Sequence, residues 1–475
     1  MPFSPNLGLT TVDQSASHST TEREMLCAWI EREIGGTVAG LEPQPRWRRG
    51  WYATVTGAPG VDQLYIRGTR DSDFVSLPFE LEAAFHDIAE RHGVPVPHVY
   101  GVCPDPKAMV MDRVSGSRDI SHLDDAGKLS VATQYAGILA KLHAIPAEAF
   151  ISAGLWRAST PGEAAIEMIS RYEDSYRRNL KVRPNPFCEF LSRWLRRNVP
   201  RDRDELCFIT GDPGQFIVYK NATITAIHDL EMGYLGDPLA DLAPLRARHA
   251  FEPMGDVRLI YLRYEELTGR RLDHNVLNYY MVWWGYTGAM WIARMLAEEN
   301  PDHLRSLYSE VSGPYFAMQG MAEMMGIQLE KMTQPDLVET RHAATIRSLR
   351  LLLNQIEPAA EPVSRYRLEA ARGLSDVLVQ LDGLGAALDR MDLDDCTVIL
   401  GHRPDNWLEA ETELEAFVTG AGPEHDVALL RFFDRRRQRS AMLLPRSYIS
   451  GTPGDIAGHE AELELVPLSE MLRTV

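Results

Sequence analysis

Residues 207–243, CFITGDPGQFIVYKNATITAIHDLEMGYLGDPLADLA, constrain the fold of this 475-residue chain more than any other stretch. Residues 216–219 (FIVY) and 223–227 (TITAI) are β-branched and aromatic and are parted by Lys220-Asn221, which predicts two strands and a turn. An acidic loop flanks the pair at each end, Gly211-Asp212-Pro213-Gly214-Gln215 before it and Asp229-Leu230-Glu231 after it. A hairpin therefore holds two acidic loops side by side. Phosphoryl transfer needs such a pair, one carboxylate to orient a hydroxyl and another to hold Mg²⁺ against phosphate oxygens. Asp, Pro and Gly are also turn formers, so 212–214 reads equally well as an ordinary turn.

Ile227-His228-Asp229-Leu230-Glu231 and Gly236-Asp237-Pro238-Leu239-Ala240-Asp241-Leu242-Ala243 resemble the aminoglycoside phosphotransferase and choline kinase-like family, in which I-D-W/F-E is followed by G-D-P-x-x-D-L-A. The family's catalytic loop reads H-G-D, with a metal-binding Asn or Gln five residues after the Asp. Two registers are open here. Aligned without gaps on Pro213-Gly214-Gln215-Phe216, the chain places Thr210 at the catalytic position. Aligned on Gly211-Asp212, it keeps the Asp but shortens the loop by two residues, so Gln215 follows Asp212 by three. The second register is preferred. The resemblance then implies Asp212 as the catalytic residue and Asp229 and Gln215 as Mg²⁺ ligands. Asp237 and Asp241 are expected to be structural, because Asp at a turn or helix start accepts from backbone N–H groups.

The likeness runs from about residue 20 to about residue 330. Leu64-Tyr65-Ile66-Arg67-Gly68 reads as a strand ending in a basic residue, which in the family holds nucleotide phosphates; Arg suits this by planar two-point contact. Arg46, Arg48 and Arg49 precede a strand where the family has its first hairpin. A helix over about 78–92 carries Glu80 and Glu82, either of which matches the family's partner for the basic residue, with Glu82 preferred. Gly93-Val94-Pro95-Val96-Pro97 follows, and then 108–114, where Met111 and Arg113 match the strand that lines the nucleotide. His143, in Leu139-Ala140-Lys141-Leu142-His143-Ala144-Ile145-Pro146, is read as structural.

The resemblance implies an α+β, two-lobed protein-kinase-like fold. A small sheet-rich lobe is expected over 19–113 and a helical lobe over 114–332, with a mobile tail at 1–18. ATP and Mg²⁺ are the implied cofactors. Past residue 333 the likeness stops. Helices are expected at 343–356, 364–391, 406–419 and 427–442, so 340–475 reads as an all-helical appendage, and it is the surface through which a homodimer would be expected to form. Arg431, Arg435, Arg436 and Arg437 on the last of these read as a solvated face.

Composition narrows the partners. The net charge of −18 argues against nucleic acid, which demands basic surface. No run of 18 apolar residues is present, so no membrane span is expected. The five cysteines are scattered with no C-x-x-C, which fits a reducing, cytoplasmic setting. Tyr279, Trp283, Tyr286 and Met290 share one helix face, read as core or as the apolar wall of an acceptor cleft. Two functions follow. One is an ATP-dependent phosphotransferase acting on a hydroxyl of a small molecule, whether aminoglycoside- or macrolide-like, an amino alcohol or a hydroxyacyl compound. The other is a diverged kinase-fold protein without ordinary phosphotransfer.

Overall fold

The computed structural model describes residues 20–44, 48–69, 76–250, 252, 254–449, 458–460 and 463–473. The tail expected at 1–18, and Arg46 with Trp47, lie outside the described residues. The chain divides into two compact units, Met1–Asp71 with His98–Arg113 and Ser72–Pro97 with Val114–Val475. Residues 72–97, placed with the small lobe on sequence, thus group with the second unit, because their helix shares that unit's core.

The first unit is helix α1 (Thr20–Glu33) and an antiparallel sheet of β1 (Thr37–Pro43), β2 (Gly50–Thr56), β3 (Gln63–Gly68), β4 (Val99–Pro104) and β5 (Lys107–Asp112), in the order β1-β2-β3-β5-β4. Strand periodicity sorts its two faces. Trp51, Ala53 and Val55 of β2, Leu64 and Ile66 of β3, and Ala108 and Val110 of β5 form one core with Leu26, Trp29 and Ile30 of α1. The alternate residues carry the opposite face. Tyr52 pairs with Tyr65, Tyr65 with Met111 and Arg67 with Met109, so Arg67 and Met111 share that second face.

The second unit is mostly helical. It begins with α2 (Phe79–Arg91), α3 (Asp125–His143), α4 (Ala147–Ser152), α5 (Pro161–Asn179) and α6 (Pro186–Arg197). Pro161 and Pro186 open α5 and α6, where a missing N–H costs nothing, and Thr160 and Asn185 cap them. Four short strands follow: β6 (Cys207–Ile209), β7 (Phe216–Val218), β8 (Ile224–Ile227) and β9 (Tyr234–Gly236). The β7–β8 hairpin is the one read from sequence, with Phe216 opposite Ile227. The β6–β9 pair was not foreseen; three-residue strands are too short to show a period.

Then come α7 (Leu239–Leu242), α8 (Leu245–His249), α9 (Val257–Thr268), α10 (His274–Ala297) and α11 (His303–Met325). On α10, Tyr279, Tyr286 and Met290 are fully buried and Trp283 is half-buried against Tyr172, so this face is core rather than a cleft wall. The appendage consists of α12 (Ala343–Gln355), α13 (Pro362–Leu400), α14 (Trp407–Gly420) and α15 (Asp426–Met442), close to expectation except that α13 runs nine residues further. Against the expectation that 340–475 is all-helical, a β10–β11 pair (Ser447–Ile449, Gly458–Glu460) follows α15, and α16 (Leu468–Met471) comes last among the described elements.

The appendage shares the helical unit's core. Leu414 and Val418 of α14 and Leu429, Leu430, Phe432 and Phe433 of α15 are buried in the cluster that also holds Phe190, Leu191 and Trp194 of α6. Among the described residues, no helix is long and apolar enough to cross a membrane.

Candidate active site

The loop from Thr210 to Gln215 is fixed from below. Asp241, fully buried on α7, accepts from the backbone N–H of Thr210 at 2.9 and 3.1 Å, from the Thr210 hydroxyl at 2.8 Å, and from the Gly211 N–H at 3.4 Å. His143 Nε2 lies 3.2 Å from the same carboxylate, and His143 Nδ1 is 2.7 Å from the Tyr264 hydroxyl. The structural role expected of Asp241 is visible, though it caps a loop 31 residues earlier rather than its own helix. Asp237 is held by Arg203 (2.5 and 3.1 Å) and accepts from the Leu239 N–H at 2.9 Å.

Thr210 and Asp212, the two candidates for the catalytic position, differ in their surroundings. Thr210 is buried, and its hydroxyl is spent on Asp241. Asp212 is partly exposed and is the carboxylate that the loop presents. Arg248 of α8 pairs with Asp212 Oδ1, and Gln215 Nε2 donates to Oδ2 at 2.7 Å. Two glycines make the turn possible. Gly211 (φ +81°) has no room for a Cβ against the Met232 backbone, and a Cβ on Gly214 (φ +90°) would meet Arg248 Cδ at 2.5 Å. The Gly214 N–H donates to the buried Tyr135 hydroxyl at 2.6 Å.

Arg248 extends a chain of charges. It donates to Glu252 at 2.8 Å, and Arg118 donates to the same carboxylate at 2.6 Å. Burial alone would raise the Glu252 carboxyl and lower Arg248. The mutual attraction wins, holding Glu252 down at about 2 and Arg248 above its ordinary value. Sequence reasoning missed this Arg118–Glu252–Arg248–Asp212 chain. No motif signals it, because Arg118 and Asp212 lie 134 and 36 residues from the partners they meet.

The second acidic loop is set beside the first by the hairpin. The ladder continues past Phe216–Ile227 with the His228 N–H donating to the Gln215 carbonyl at 3.0 Å, so Asp229 is one residue beyond a residue that pairs with Gln215. Asp229 has φ +68°, a left-handed conformation that Asp tolerates better than most residues but that still costs of order 1 kcal/mol. Such strain persists where the surroundings over-determine it, and it clusters at working sites. Gln215 Oε1 is buried and has no hydrogen-bond partner among the described residues. An orphaned amide oxygen beside a carboxylate suits Mg²⁺, which takes one or two protein oxygens plus phosphate oxygens. Among the described residues no group of three or more His, Cys, Asp or Glu forms a metal-binding cluster.

The structure thus brings Asp212, Gln215 and Asp229 together. The other expected site residues are placed as follows. Arg67 is buried on β3 and Met111 on β5, on the sheet face opposite α1. Arg113 stacks its guanidinium 3.7 Å over Tyr52 and gives its backbone N–H to the Gln63 carbonyl at 3.1 Å. That N–H is therefore committed within the sheet. Glu82, on α2 in the second unit, is fully buried with His86 3.9 Å away, whereas Glu80 is exposed. Arg48 is buried and Arg49 pairs with Glu22 at 2.7 Å.

With this geometry in view, the comparisons fall into place. Residues 59–274 match the model of the phosphotransferase enzyme family. The fold is α+β, a five-stranded antiparallel unit followed by a mostly helical remainder. An assigned aminoglycoside phosphotransferase of Ralstonia eutropha JMP134 superposes at 18% identity over 64% of this chain and 99% of its own, with a TM-score of 0.48. Choline kinase LicA from Streptococcus pneumoniae does so at 16% identity over 65% and 100%, with a TM-score of 0.46. Macrolide 2′-phosphotransferase MphH from Brachybacterium faecium does so at 16% identity over 60% and 97%, with a TM-score of 0.43. No curated protein matches the sequence.

Proposed function

We propose that the protein is an ATP-dependent phosphotransferase acting on a hydroxyl of a small molecule. The observation that carries this is the junction of Asp212, Gln215 and Asp229: an exposed-edge carboxylate, an orphaned amide oxygen and a strained Asp, locked together by the Gln215–His228 pairing and by Asp241. Asp212 accepts from Arg248 and Gln215 with one lone pair on each oxygen, and the remaining lone pairs are free to orient an acceptor hydroxyl. Asp229 and Gln215 Oε1 are the residues that would hold Mg²⁺, which supplies neutralisation of charge on the transferring phosphoryl group. Gln215 does two jobs, because its Nε2 fixes Asp212 while its Oε1 stays available. The shortened loop is thereby compensated: a side chain three residues after the Asp hydrogen-bonds it directly. Arg67 and the Arg113 side chain are the candidates for nucleotide contact in the first unit.

A narrow crevice lies beside the second acidic loop, lined by Trp156, Arg171, Tyr172, Glu231, Met232 and Tyr234. Its mix of aromatic and charged side chains suits an alcohol with both apolar and polar parts.

The test is ADP release with Mg-ATP against a panel of aminoglycosides, macrolides, amino alcohols and hydroxyacyl thioesters. Turnover with one acceptor class, dependent on Mg²⁺ and lost in Asp212→Asn, is expected. ADP release that no acceptor stimulates, or that Asp212→Asn leaves untouched, contradicts the assignment.

A further inference from the structure

The appendage closes a second polar site remote from the catalytic loop. Where α14 and α15 meet α10, α11 and the turn before α6, a cavity of about 120 Å³ is left. Its apolar side comes from Ile292, Ala293, Pro314 and Phe433. Its polar side carries Glu310, Glu411, Arg183, Arg436, Arg437 and Lys181.

The charges do not cancel evenly. Arg436 donates to Glu411 at 2.5 Å and to Asp392 at 2.6 and 3.0 Å. Arg437 is paired with Asp434 at 3.3 Å, and Lys181 with Glu415 at 2.9 Å and Glu189 at 3.5 Å. Arg183 is exposed and sits 5.6 Å over the Trp407 ring. Each of these cations but Arg183 is thus matched by a carboxylate. Glu310 has no hydrogen bond or ion pair among the described residues, although it is half-buried.

The backbone adds a second acceptor at the same residue. Pro314 sits inside α11 and has no N–H to give the carbonyl four residues earlier, which is that of Glu310. The buried Tyr176 hydroxyl lines the same cavity, beside Asn185 and Cys188. The cavity therefore offers a carboxylate with no donor to meet it, beside an apolar wall. Burial pushes the Glu310 carboxyl up. Arg183 and Arg436 oppose this and Glu411 adds to it. Glu411 is likewise raised, by burial first and Asp392 next, against Arg436 and Arg183.

We propose that this cavity binds a small amphipathic amine, its ammonium on Glu310 and its apolar body against Ile292, Ala293 and Phe433. The amine comes either alone or as a zwitterion whose anionic end faces Arg183. The volume suits about five to seven heavy atoms, since an engineered cavity of about 150 Å³ holds benzene. The site uses none of the residues of the catalytic loop.

Calorimetric titration of the full chain with n-butylammonium, norvaline and butyrate, without nucleotide, tests this. Saturable uptake of n-butylammonium is expected, with Kd on the order of 1 mM for so small a ligand. The affinity should rise with pH as Glu310 ionises, and binding should release protons, read as a dependence of the heat on the buffer. Tighter binding of norvaline than of n-butylammonium would assign the zwitterion, and equal or weaker binding the plain amine. Glu310→Gln should weaken either amine at least tenfold while leaving the melting temperature equal or higher, because it removes a carboxyl that nothing pairs. Ala293→Phe, which fills the cavity from the apolar side, should abolish binding even if Glu310→Gln folds poorly. No saturable amine binding, binding that survives both substitutions, or binding of butyrate alone would overturn the proposal.

Discussion

At the scale of single residues, the Asp241 carboxylate decides which residue of the loop is free to act. By taking the N–H and the hydroxyl of Thr210, it turns that side chain inward and leaves Asp212 as the loop's presented carboxylate. Removing a carboxylate that positions a nucleophile costs about 10²- to 10⁴-fold in turnover. Asp212→Asn should therefore lose most activity with a smaller fall in melting temperature than Asp241→Asn, a result checked by steady-state kinetics beside a thermal melt. Asp241→Asn should do the reverse in order of severity. Its amide lacks the charge that draws the Thr210 N–H, the Thr210 hydroxyl and His143 together, and it replaces one acceptor oxygen by a donor, at a cost of about 1–3 kcal/mol, so the melting temperature should fall. Asp229 and the Gly236–Ala243 motif were legible because short-range spacing encodes them. Arg248 was not, because its contact with Asp212 spans 36 residues and nothing in its own neighbourhood announces it.

At the scale of elements, the β7–β8 hairpin was legible because β-branched and aromatic residues flank a polar turn, and it is this hairpin that places Gln215 beside Asp229. The β6–β9 pair and the length of α13 were not, since three-residue strands lack a period and α13 carries no breaker at residue 391. The arginines of α15 were read as solvated because a helix rich in Arg has no visible partner in its own sequence. In the fold Arg435 meets Asp395, Arg436 meets Asp392 and Glu411, and the buried Arg439, missed on sequence, meets both Asp392 and Asp395. Arg431 is the exposed one.

Two elements respond to pH in opposite senses. Glu252, which follows α8, is depressed to about 2, so its stabilisation is complete above pH of about 4.5 and is lost as pH falls toward 2. Glu310 on α11 is raised, so its contribution is present at low pH and is lost as pH rises through its folded value. Melting temperature against pH should therefore fall on the acid side in wild type and in Glu310→Gln alike. The decline toward neutral pH should be shallower in Glu310→Gln; identical profiles on that side would contradict the account.

At the scale of the whole molecule, the appendage belongs to the helical unit's core. Phe433 of α15 stacks on Phe190 of α6 at 5.5 Å, and Leu414 and Val418 of α14 are fully buried. A chain ending at Thr333 would expose the apolar faces that these residues cover, and exposed patches of that kind drive association. It should aggregate on size-exclusion chromatography; a monodisperse species with the melting temperature of the full chain would show 340–475 to be dispensable. The α+β division was readable from the start, because a run of short β patterns precedes long helical ones. The union of the appendage with the core was not, because apolar helix faces reveal that they need a partner without revealing which.

The central claim, that Asp229 and Gln215 form the metal corner of a nucleotide-binding phosphotransferase, is tested most directly by calorimetric titration of Mg-ATP into wild type and Asp229→Asn. Asn keeps the left-handed conformation at φ +68° and removes only the charge. Binding in the wild type should require Mg²⁺, and Asp229→Asn should weaken it at least about tenfold, or 1.4 kcal/mol, with an unchanged melting temperature. Equal affinity in the two proteins, with and without Mg²⁺, would contradict the account.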